Sequence, residues 1–381
     1  MDPSLFGPHA SGHLAPTIHG QMAFVPAPLP PKTDKALLFD AYAAASYALG
    51  TFNAKLAQIP NPALIIRPLQ RREALASSAM EGTYTTTDEL ALLEAGEETS
   101  ARPETREVQN YFLAITECAQ TLERLPISHR MIRQAHARLL GGLPNARGGN
   151  KRPGEYKTEQ NWIGGRTIEQ ARFVPPPPQQ AMTAMDQLEA YINRPDTSAP
   201  LPLIEAGLVH YQFETIHPFG DGNGRVGRIL IPILLMARGQ IPGPTFYPSA
   251  ALENQKDDYI DRMFAVSARG AWTEWLTFFL NICSETCTAS TALVDKLVSL
   301  NASYKEKAMQ ISRSHNPLTL IDELFSNPVI SAPMARDKLG VTLRAARMSI
   351  ATLEEAEIVQ KIPGFNMPEY FVAREIVRIA E

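Results

Sequence analysis

The chain has 381 residues, a formal net charge of −4 and 44% hydrophobic residues. This length exceeds that of a typical single domain, so we expect two or three domains and a substantial core. The charge provides no overall attraction to nucleic acid, and the longest apolar run, 229–237, is too short to cross a bilayer. We therefore expect a globular protein without a membrane partner.

The three cysteines, Cys118, Cys283 and Cys287, have no spacing to histidines that is typical of a zinc site. Cys283 and Cys287 lie four residues apart on a helical pattern, where buried thiols are expected. The first residues lack the basic and apolar segments of a secretory signal. Together these features predict a protein of the reducing cytoplasm.

The N-terminal third is predicted to be an arm followed by helices. Residues 1–33 are rich in proline, glycine and alanine, which predicts an extended arm over the surface. Helical spacing predicts a helix from Lys35 to Asn53 and a second over 69–82, with Gly82 at a left-handed C-cap. Glu81 near this helix C-terminus opposes the helix dipole, so it is either tolerated at a small cost or paired with a distant arginine. Ser77 lies on the same face.

The next segments are predicted to alternate between helices and one hairpin. A capping box at 86–89 opens a short helix, and two further helices cover 104–122 and 128–140, where His136 is expected to be structural. Residues 155–174 predict a β-hairpin. Two isolated strands are marginally stable, and their open edge can accept an extended segment of another protein. A hairpin that packs on its own helices is an equally good interpretation.

A glycine-rich run, His-Pro-Phe-Gly-Asp-Gly-Asn-Gly-Arg-Val-Gly-Arg, covers 217–228 between two predicted helices. Its glycines allow successive backbone N–H groups to converge at a helix N-terminus, which predicts an anion site. Arg225 and Arg228 lie three apart and can reach the same anion, which predicts a polyphosphate. Asp221 suits a hard cation such as Mg²⁺ on those phosphates. His217 is a candidate base.

Other interpretations of this run fit less well. Residues 222–227 satisfy the dinucleotide pattern G-x-G-x-x-G, but that site needs a preceding buried strand and an acidic residue about 20 positions later. The preceding segment is helical, and a Walker loop would need Gly-Lys-Ser/Thr. A plain turn between core helices, with His217 as a cap, would not require so many polar and glycine positions within twelve residues.

The run 217–228 resembles the signature of Fic (Fic/Doc) proteins, His-x-Phe-x-Asp/Glu-Gly-Asn-Gly-Arg-x-x-Arg, at every position. The resemblance implies an all-α fold with a β-hairpin flap, and an enzyme that transfers AMP from ATP to a protein hydroxyl. It implies that His217 is the base and Asp221 holds Mg²⁺. It implies that the nucleotide phosphates are bound by Gly222, Asn223, Gly224, Arg225 and Arg228.

Two further segments resemble parts of the same family. Ser77-x-x-x-Glu81-Gly82 resembles the inhibitory motif Ser/Thr-x-x-x-Glu-Gly/Asn of class II Fic proteins, which implies an inhibitory helix. The predicted hairpin resembles the Fic flap, and the family often has Arg where Lys157 stands. Its implied target-docking residues are Gln160, Asn161, Trp162, Ile163 and Gly164. Asn254 and Tyr259 occupy positions implied to line the nucleoside pocket, although Tyr259 is equally compatible with the core.

From about residue 300 the pattern predicts a helix, a helix-turn-helix and a two-stranded wing, which is typical of a winged-helix module. Residues 312–381 contain eight Arg or Lys and nine Asp or Glu, so their net charge of −1 argues against unaided DNA binding. For this region we therefore favour partner binding or a scaffold role over DNA binding. We predict an N-terminal region at 1–105 with the inhibitory helix, a catalytic domain at 106–295 and a winged-helix-like domain at 296–381.

The expected function is an autoinhibited protein adenylyltransferase that uses ATP and Mg²⁺. Its acceptor would be a Ser, Thr or Tyr hydroxyl of a target protein or of the chain itself. Two alternatives stay open: a winged-helix regulator whose Fic domain senses nucleotide, and a Fic enzyme that removes AMP or transfers another nucleotide. The sequence does not identify the target and leaves a homodimer open.

Overall fold

The computed structural model describes residues 1–99, 101–195, 201–365 and 367–380. Helices dominate it, which confirms the predicted fold class. The helices are α1 Phe39–Ala57, α2 Ala63–Ala79, α3 Thr87–Glu94, α4 Pro103–Leu122, α5 His129–Leu140, α6 Pro178–Ile192, α7 Pro202–Ile216, α8 Asn223–Ala237, α9 Ser249–Asn254, α10 Lys256–Arg269, α11 Trp272–Ile311, α12 Asn316–Ser326, α13 Ala332–Leu339, α14 Leu343–Glu355 and α15 Arg374–Ala380. The strands are β1 Gly12–Pro16, β2 Met22–Pro26, β3 Val329–Ser331, β4 Gln360–Lys361 and β5 Tyr370–Val372.

The centre of the molecule is the helix pair α7 and α8. Every residue of α7 from Leu203 to Ile216 is buried, which is expected for a helix that other helices surround on all sides. It packs against α6, α8 and α11, while α2 packs against α4, α9 and α12. The loop between α7 and α8 therefore has a buried helix at each end, and these two helices fix its position.

The N-terminal arm is not simply extended over the surface. β1 and β2 form an antiparallel hairpin in which Gly12 pairs with Pro26. Phe24 in β2 is fully buried, and its N–H donates to the carbonyl of Val174 at 2.8 Å. The arm thus covers the segment that follows the predicted flap.

The predicted flap hairpin is wrong in its extent. It consists of one antiparallel bridge, in which Ile163 and Phe173 exchange hydrogen bonds of 2.8 and 3.1 Å. The ladder cannot continue beyond Val174 because residues 175–178 are prolines, which have no N–H to donate. The segment therefore depends on contacts with its surroundings for its shape.

The C-terminal elements appear in the predicted order. β4 and β5 follow α14 as the predicted two-stranded wing, and β3, a strand that was not predicted, lies between α12 and α13 and completes a three-stranded antiparallel sheet with the order β3-β5-β4. The predicted boundary at 295/296 falls inside α11, which has 40 residues, and the boundary at 105/106 falls inside α4. Leu320 and Ile321 of α12 belong to the same buried cluster as α7 and α8. The winged-helix assignment and the division into three regions stay predictions.

Among the helices that the structure describes, none combines the length and the apolar character needed to span a membrane.

Candidate active site

His217 lies at the end of α7 with a left-handed backbone, φ 50° and ψ 59°. Its Nδ1 is 3.2 Å from the carbonyl oxygen of Glu214, so Nδ1–H donates and Nε2 keeps its lone pair. Burial and then the charge of Lys157 lower the pKa of His217 to about 4, against the opposing effects of that carbonyl and Glu81. The imidazole is therefore neutral at pH 7 and can accept a proton at Nε2.

The loop after His217 is closed by Asn223. Its Oδ1 accepts from the N–H of Phe219 at 2.8 Å, and its Nδ2 donates to the carbonyl of Phe219 at 2.9 Å. The side chain predicted to bind phosphate therefore shapes the loop, and a phosphate contact of Asn223 would come from its backbone N–H. Gly222 caps α8 with φ 74°, a conformation that favours glycine. The first N–H groups of α8 have no helical partner, which supports the predicted anion site.

Asp221 stands beside this helix start with its side chain 43% exposed. Its Oδ1 accepts from the N–H of Gly222 at 2.6 Å and lies 3.6 Å from Nη2 of Arg225. Mg²⁺ commonly binds one or two carboxylates and completes its shell with phosphates and water, so this residue fits the predicted role. In the described ranges no group of three or more His, Cys, Asp or Glu side chains could hold a metal. An ion at Asp221 would complete its shell with water and with phosphate oxygens.

His136 supports the loop from α5. Its Nδ1 accepts from the N–H of Gly154 at 2.9 Å, which leaves Nε2–H to donate to the carbonyl of Asp221 at 3.0 Å. Its ring stacks on Phe219 with 3.8 Å between the centroids. Burial lowers the pKa of His136 to about 4, so it remains neutral. These contacts agree with its predicted structural role.

Arg228 is 2% exposed and contacts the end of α2. Its Nε donates to Oγ of Ser77, and its Nη2 donates to the carbonyl of Ser77 and to Oε1 of Glu81, each at 2.8 Å. Burial alone would raise the pKa of Glu81, but the charge and hydrogen bond of Arg228 lower it. Arg228 is thus the arginine partner that the sequence predicted for Glu81.

Two other residues of the run take part in this contact network. A Cβ at Gly224 would lie 2.4 Å from Oε1 of Glu81, so glycine permits the carboxylate to approach α8. Arg225 is buried and forms an ion pair with Glu107 of α4. Glu107 was not predicted, because nothing in its local sequence distinguishes it from a solvated glutamate on a helix. The two arginines therefore have separate carboxylate partners.

A cavity of about 200 Å³ brings part of the predicted site together, whereas its lining does not include Asp221, Gly222, Asn223 or Arg225. Its lining includes His217, Arg228, Glu81, Tyr259 and Ile163. The hydroxyl of Tyr259 is 2.9 Å from Nε2 of the buried His210. Gly82 follows Glu81 with φ 79°, as its predicted C-cap position requires. Asn254 does not line this cavity; it ends α9 beside a separate depression near residues 83–87.

The predicted docking residues separate into two groups. Nε2 of Gln160 donates to the carbonyl of Pro175 at 2.9 Å, and Asn161 binds the loop that carries His217. These two side chains are engaged within the protein. Trp162 is 41% exposed, Ile163 lines the cavity, and Gly164 has φ 71°. Trp162 and Gly164 are thus exposed, whereas Ile163 faces the cavity.

Glu214 is a cavity residue that the sequence analysis missed. Its side chain is buried, and its Oε1 has no hydrogen-bond partner within the described residues. Burial, with a further contribution from Glu81, raises the pKa of Glu214 to about 8, although Arg228 opposes this. The carboxyl group is therefore mostly protonated at neutral pH. Its place on a fully buried helix, three residues before His217, is the signal that could have identified it.

Glu214→Gln is expected to change how stability depends on pH. Because the folded-state pKa of Glu214 lies above the ordinary value of 4.5, its carboxyl favours folding below pH 4.5, and this benefit is lost as pH rises towards 8. Glutamine resembles the protonated form and does not titrate. Urea unfolding measures the free energy of unfolding of both proteins at pH 5 and pH 8. The value for the variant minus that for the wild type should be larger at pH 8 than at pH 5 by roughly 1–3 kcal/mol. The exposed Glu355→Gln is the control, and an equal difference at both pH values would contradict the assignment.

Comparison with known proteins agrees with this geometry. Residues 126–235 match the model of the Fic/DOC family, and residues 39–120 match the model of the Fic/DOC family N-terminal region. The chain is 35% identical over 124 residues to the protein adenylyltransferase Fic of Drosophila virilis. That alignment covers 32% of this chain and 23% of the relative, so the chain matches less than a quarter of its length.

Two solved structures share the fold. A Fic family protein from Desulfovibrio desulfuricans has a TM-score of 0.57 and 19% identity, over 90% of this chain and 98% of that one. Fic-1 from C. elegans, residues 134–508, has a TM-score of 0.51 and 18% identity, over 70% of this chain and 74% of that one. Since both family models match in chain order and together cover about half of the sequence, the chain belongs to the Fic/DOC family.

Proposed function

We propose that this protein is an adenylyltransferase that transfers AMP from ATP to a hydroxyl group of a protein, and that Glu81 inhibits it. The observation that carries the proposal is a neutral histidine with a free Nε2 that shares one cavity with Gly224, on the first turn of α8, and with Arg228. The printed name of the Drosophila relatives supports the same activity.

The chemistry follows from the roles of the side chains. Nε2 of His217 takes the proton of a Ser, Thr or Tyr hydroxyl, whose oxygen attacks the α-phosphate while pyrophosphate leaves. The N–H groups at the start of α8 and the arginines stabilise the negative charge. Mg²⁺ supplies further neutralisation of the phosphates when bound, and Asp221 would hold it. Arg225 and Arg228 would exchange their carboxylate partners for phosphate oxygens.

Autoinhibition follows from competition for Arg228. The guanidinium group of Arg228 can bind either the carboxylate of Glu81 or the outer phosphate of ATP. In this structure its Nη2 donates to Oε1 of Glu81 at 2.8 Å. ATP that binds through other contacts would have its α-phosphate misplaced for in-line attack. Trp162, Ile163 and Gly164 are the proposed docking residues for the target, because their neighbours Gln160 and Asn161 are engaged internally.

The position of the radioactive phosphate tests the proposal. Glu81→Gly is incubated with cell lysate and ATP labelled on the α- or the γ-phosphate, alongside α-labelled GTP and UTP. Relative to lysate without the added protein, we expect additional covalent labelling of protein from α-labelled ATP and no additional labelling from γ-labelled ATP. Preferential labelling from GTP or UTP would indicate another nucleotidyl transfer. A folded variant that binds ATP and labels nothing would favour a nucleotide-sensing regulator.

A further inference from the structure

The loop that carries His217 is held by residues 157–161, a short segment that lies about 60 positions earlier in the sequence. Four successive carbonyl groups, those of 216–219, all accept hydrogen bonds from Lys157 or Asn161. The bonds are Lys157 Nζ to Ile216 at 3.4 Å, Asn161 Nδ2 to His217 at 3.0 Å, Lys157 N–H to Pro218 at 2.8 Å and Asn161 Nδ2 to Phe219 at 2.9 Å. These hydrogen bonds fix the path of the backbone directly after α7.

The contacts matter because His217 has an unfavourable backbone conformation. A histidine with φ 50° is strained, and such a residue keeps its shape only when its surroundings hold it. Asn161 donates on both sides of Pro218, to the carbonyls of His217 and Phe219. Its amide therefore determines the direction in which the imidazole leaves the backbone.

Lys157 is the second unusual feature of this segment. Its side chain is 9% exposed, and Nζ donates to Oδ1 of Asn161 at 2.7 Å. In the described part of the chain no carboxylate forms an ion pair with it. Burial lowers the pKa of Lys157 to about 7, and its charge contributes to the low pKa of His217. A buried cation without an acidic partner is costly to keep, which points to a use in the site.

We propose that Asn161 and Lys157 are positioning residues for His217: Asn161 aligns the histidine backbone, and Lys157, bonded to Asn161 and to the carbonyl of Ile216, holds a positive charge beside the loop. The contribution to catalysis rests on the proposed function, whereas the effect on His217 does not. The other titratable or charged side chains that line the cavity are Glu81, Arg172, Glu214, Arg228, Lys256 and Tyr259. Of these, Glu81 raises the pKa of His217, so Lys157 opposes it.

The proposal for Lys157 is tested by titrating His217 in the protein without nucleotide. Histidine NMR spectra, assigned with His217→Ala, give its pKa in the wild type, Lys157→Met and Lys157→Arg. Lysine is fully charged when His217 titrates, so removing that charge should raise the pKa of His217 by roughly one unit. Lys157→Arg keeps the charge and should leave the pKa near the wild-type value. An unchanged pKa in Lys157→Met overturns this half of the proposal.

The proposal for Asn161 is tested by separating rate from affinity in the Glu81→Gly background. Asn161→Ala should lower kcat for AMP transfer at least about tenfold, because a misaligned base loses rate, while Kd for ATP and KM for the target stay within roughly twofold. Glu159→Ala is the matched control, because Glu159 belongs to the same segment and is exposed. A rise in KM with unchanged kcat would show that Asn161 docks the target, and overturns the proposal.

Two readouts distinguish this proposal from the proposed function. The NMR titration needs no turnover, so the expected shift can be observed even if no variant transfers AMP; that result would reject the proposed function alone. Transfer that continues at full rate in Asn161→Ala, with no shift in Lys157→Met, would reject the positioning role alone. If Asn161→Ala does not fold, as judged by thermal unfolding, the Lys157 titration still decides.

Discussion

Glu81→Gly is expected to increase the rate of AMP transfer by roughly 100-fold, including transfer to the protein itself. In the wild type, Nη2 of Arg228 is bonded to Oε1 of Glu81 at 2.8 Å. Removing the carboxylate releases one N–H of Nη2 for the outer phosphate of ATP, while the two hydrogen bonds to Ser77 remain. Because misplacement of the α-phosphate affects the reacting geometry more than the affinity, kcat should change far more than Kd for ATP. Initial rates with α-labelled ATP on one target measure the effect.

Two further variants identify the cause of this activation. Glu81→Gln keeps the size and one acceptor but loses the charge, so it should activate less than Glu81→Gly. Glu81→Gly combined with Arg228→Ala should not recover full activity, because the arginine released from Glu81 is itself needed on the phosphate. Equal transfer rates in the wild type and Glu81→Gly would reject autoinhibition by this residue.

His217→Ala is expected to lower AMP transfer by about 10²–10⁴-fold in the Glu81→Gly background. The anion site and both arginines remain, so ATP should bind as before, whereas the acceptor hydroxyl keeps its proton. Calorimetry measures the ATP affinity and α-labelled ATP measures the rate. The matched control is His19→Ala, which changes an exposed histidine in the turn between β1 and β2. Undiminished transfer by His217→Ala would reject its role as the base.

The same base predicts how activity responds to acid. Since the pKa of His217 is lowered to about 4, the imidazole remains neutral over the physiological range, and kcat/KM should fall only when the pH approaches 4. Glu81 raises the pKa of His217. Removing the Glu81 carboxylate should therefore shift the acid-side fall of the pH–activity curve to lower pH. A limb near pH 6.5 in Glu81→Gly would mean that His217 is not shielded from protonation in the working enzyme.

Local sequence determined the chemistry of the run 217–228 and the ends of α4 and α5, whereas the helices predicted at 35–53 and 69–82 are observed at Phe39–Ala57 and Ala63–Ala79. Glycine at 222 allows the φ of 74° that starts α8, and the three-residue spacing of Arg225 and Arg228 places both on its first turns. The capping box at 86–89 forms as predicted, because its two hydrogen bonds join residues only three apart. Features of this kind depend on neighbours along the chain, which the sequence displays directly.

Only the tertiary structure decided which side chains meet these residues. Arg225 pairs with Glu107 across 118 positions, and Arg228 bonds to Glu81 across 147. The sequence offered an arginine partner as one of two explanations for Glu81, and it did not indicate Glu107 at all. Asn161 was predicted to face a target protein, yet its amide bonds to the loop of His217. Such pairings follow from how helices pack, because an amide or a carboxylate has the same local sequence signal whether its partner is water, another protein or the core.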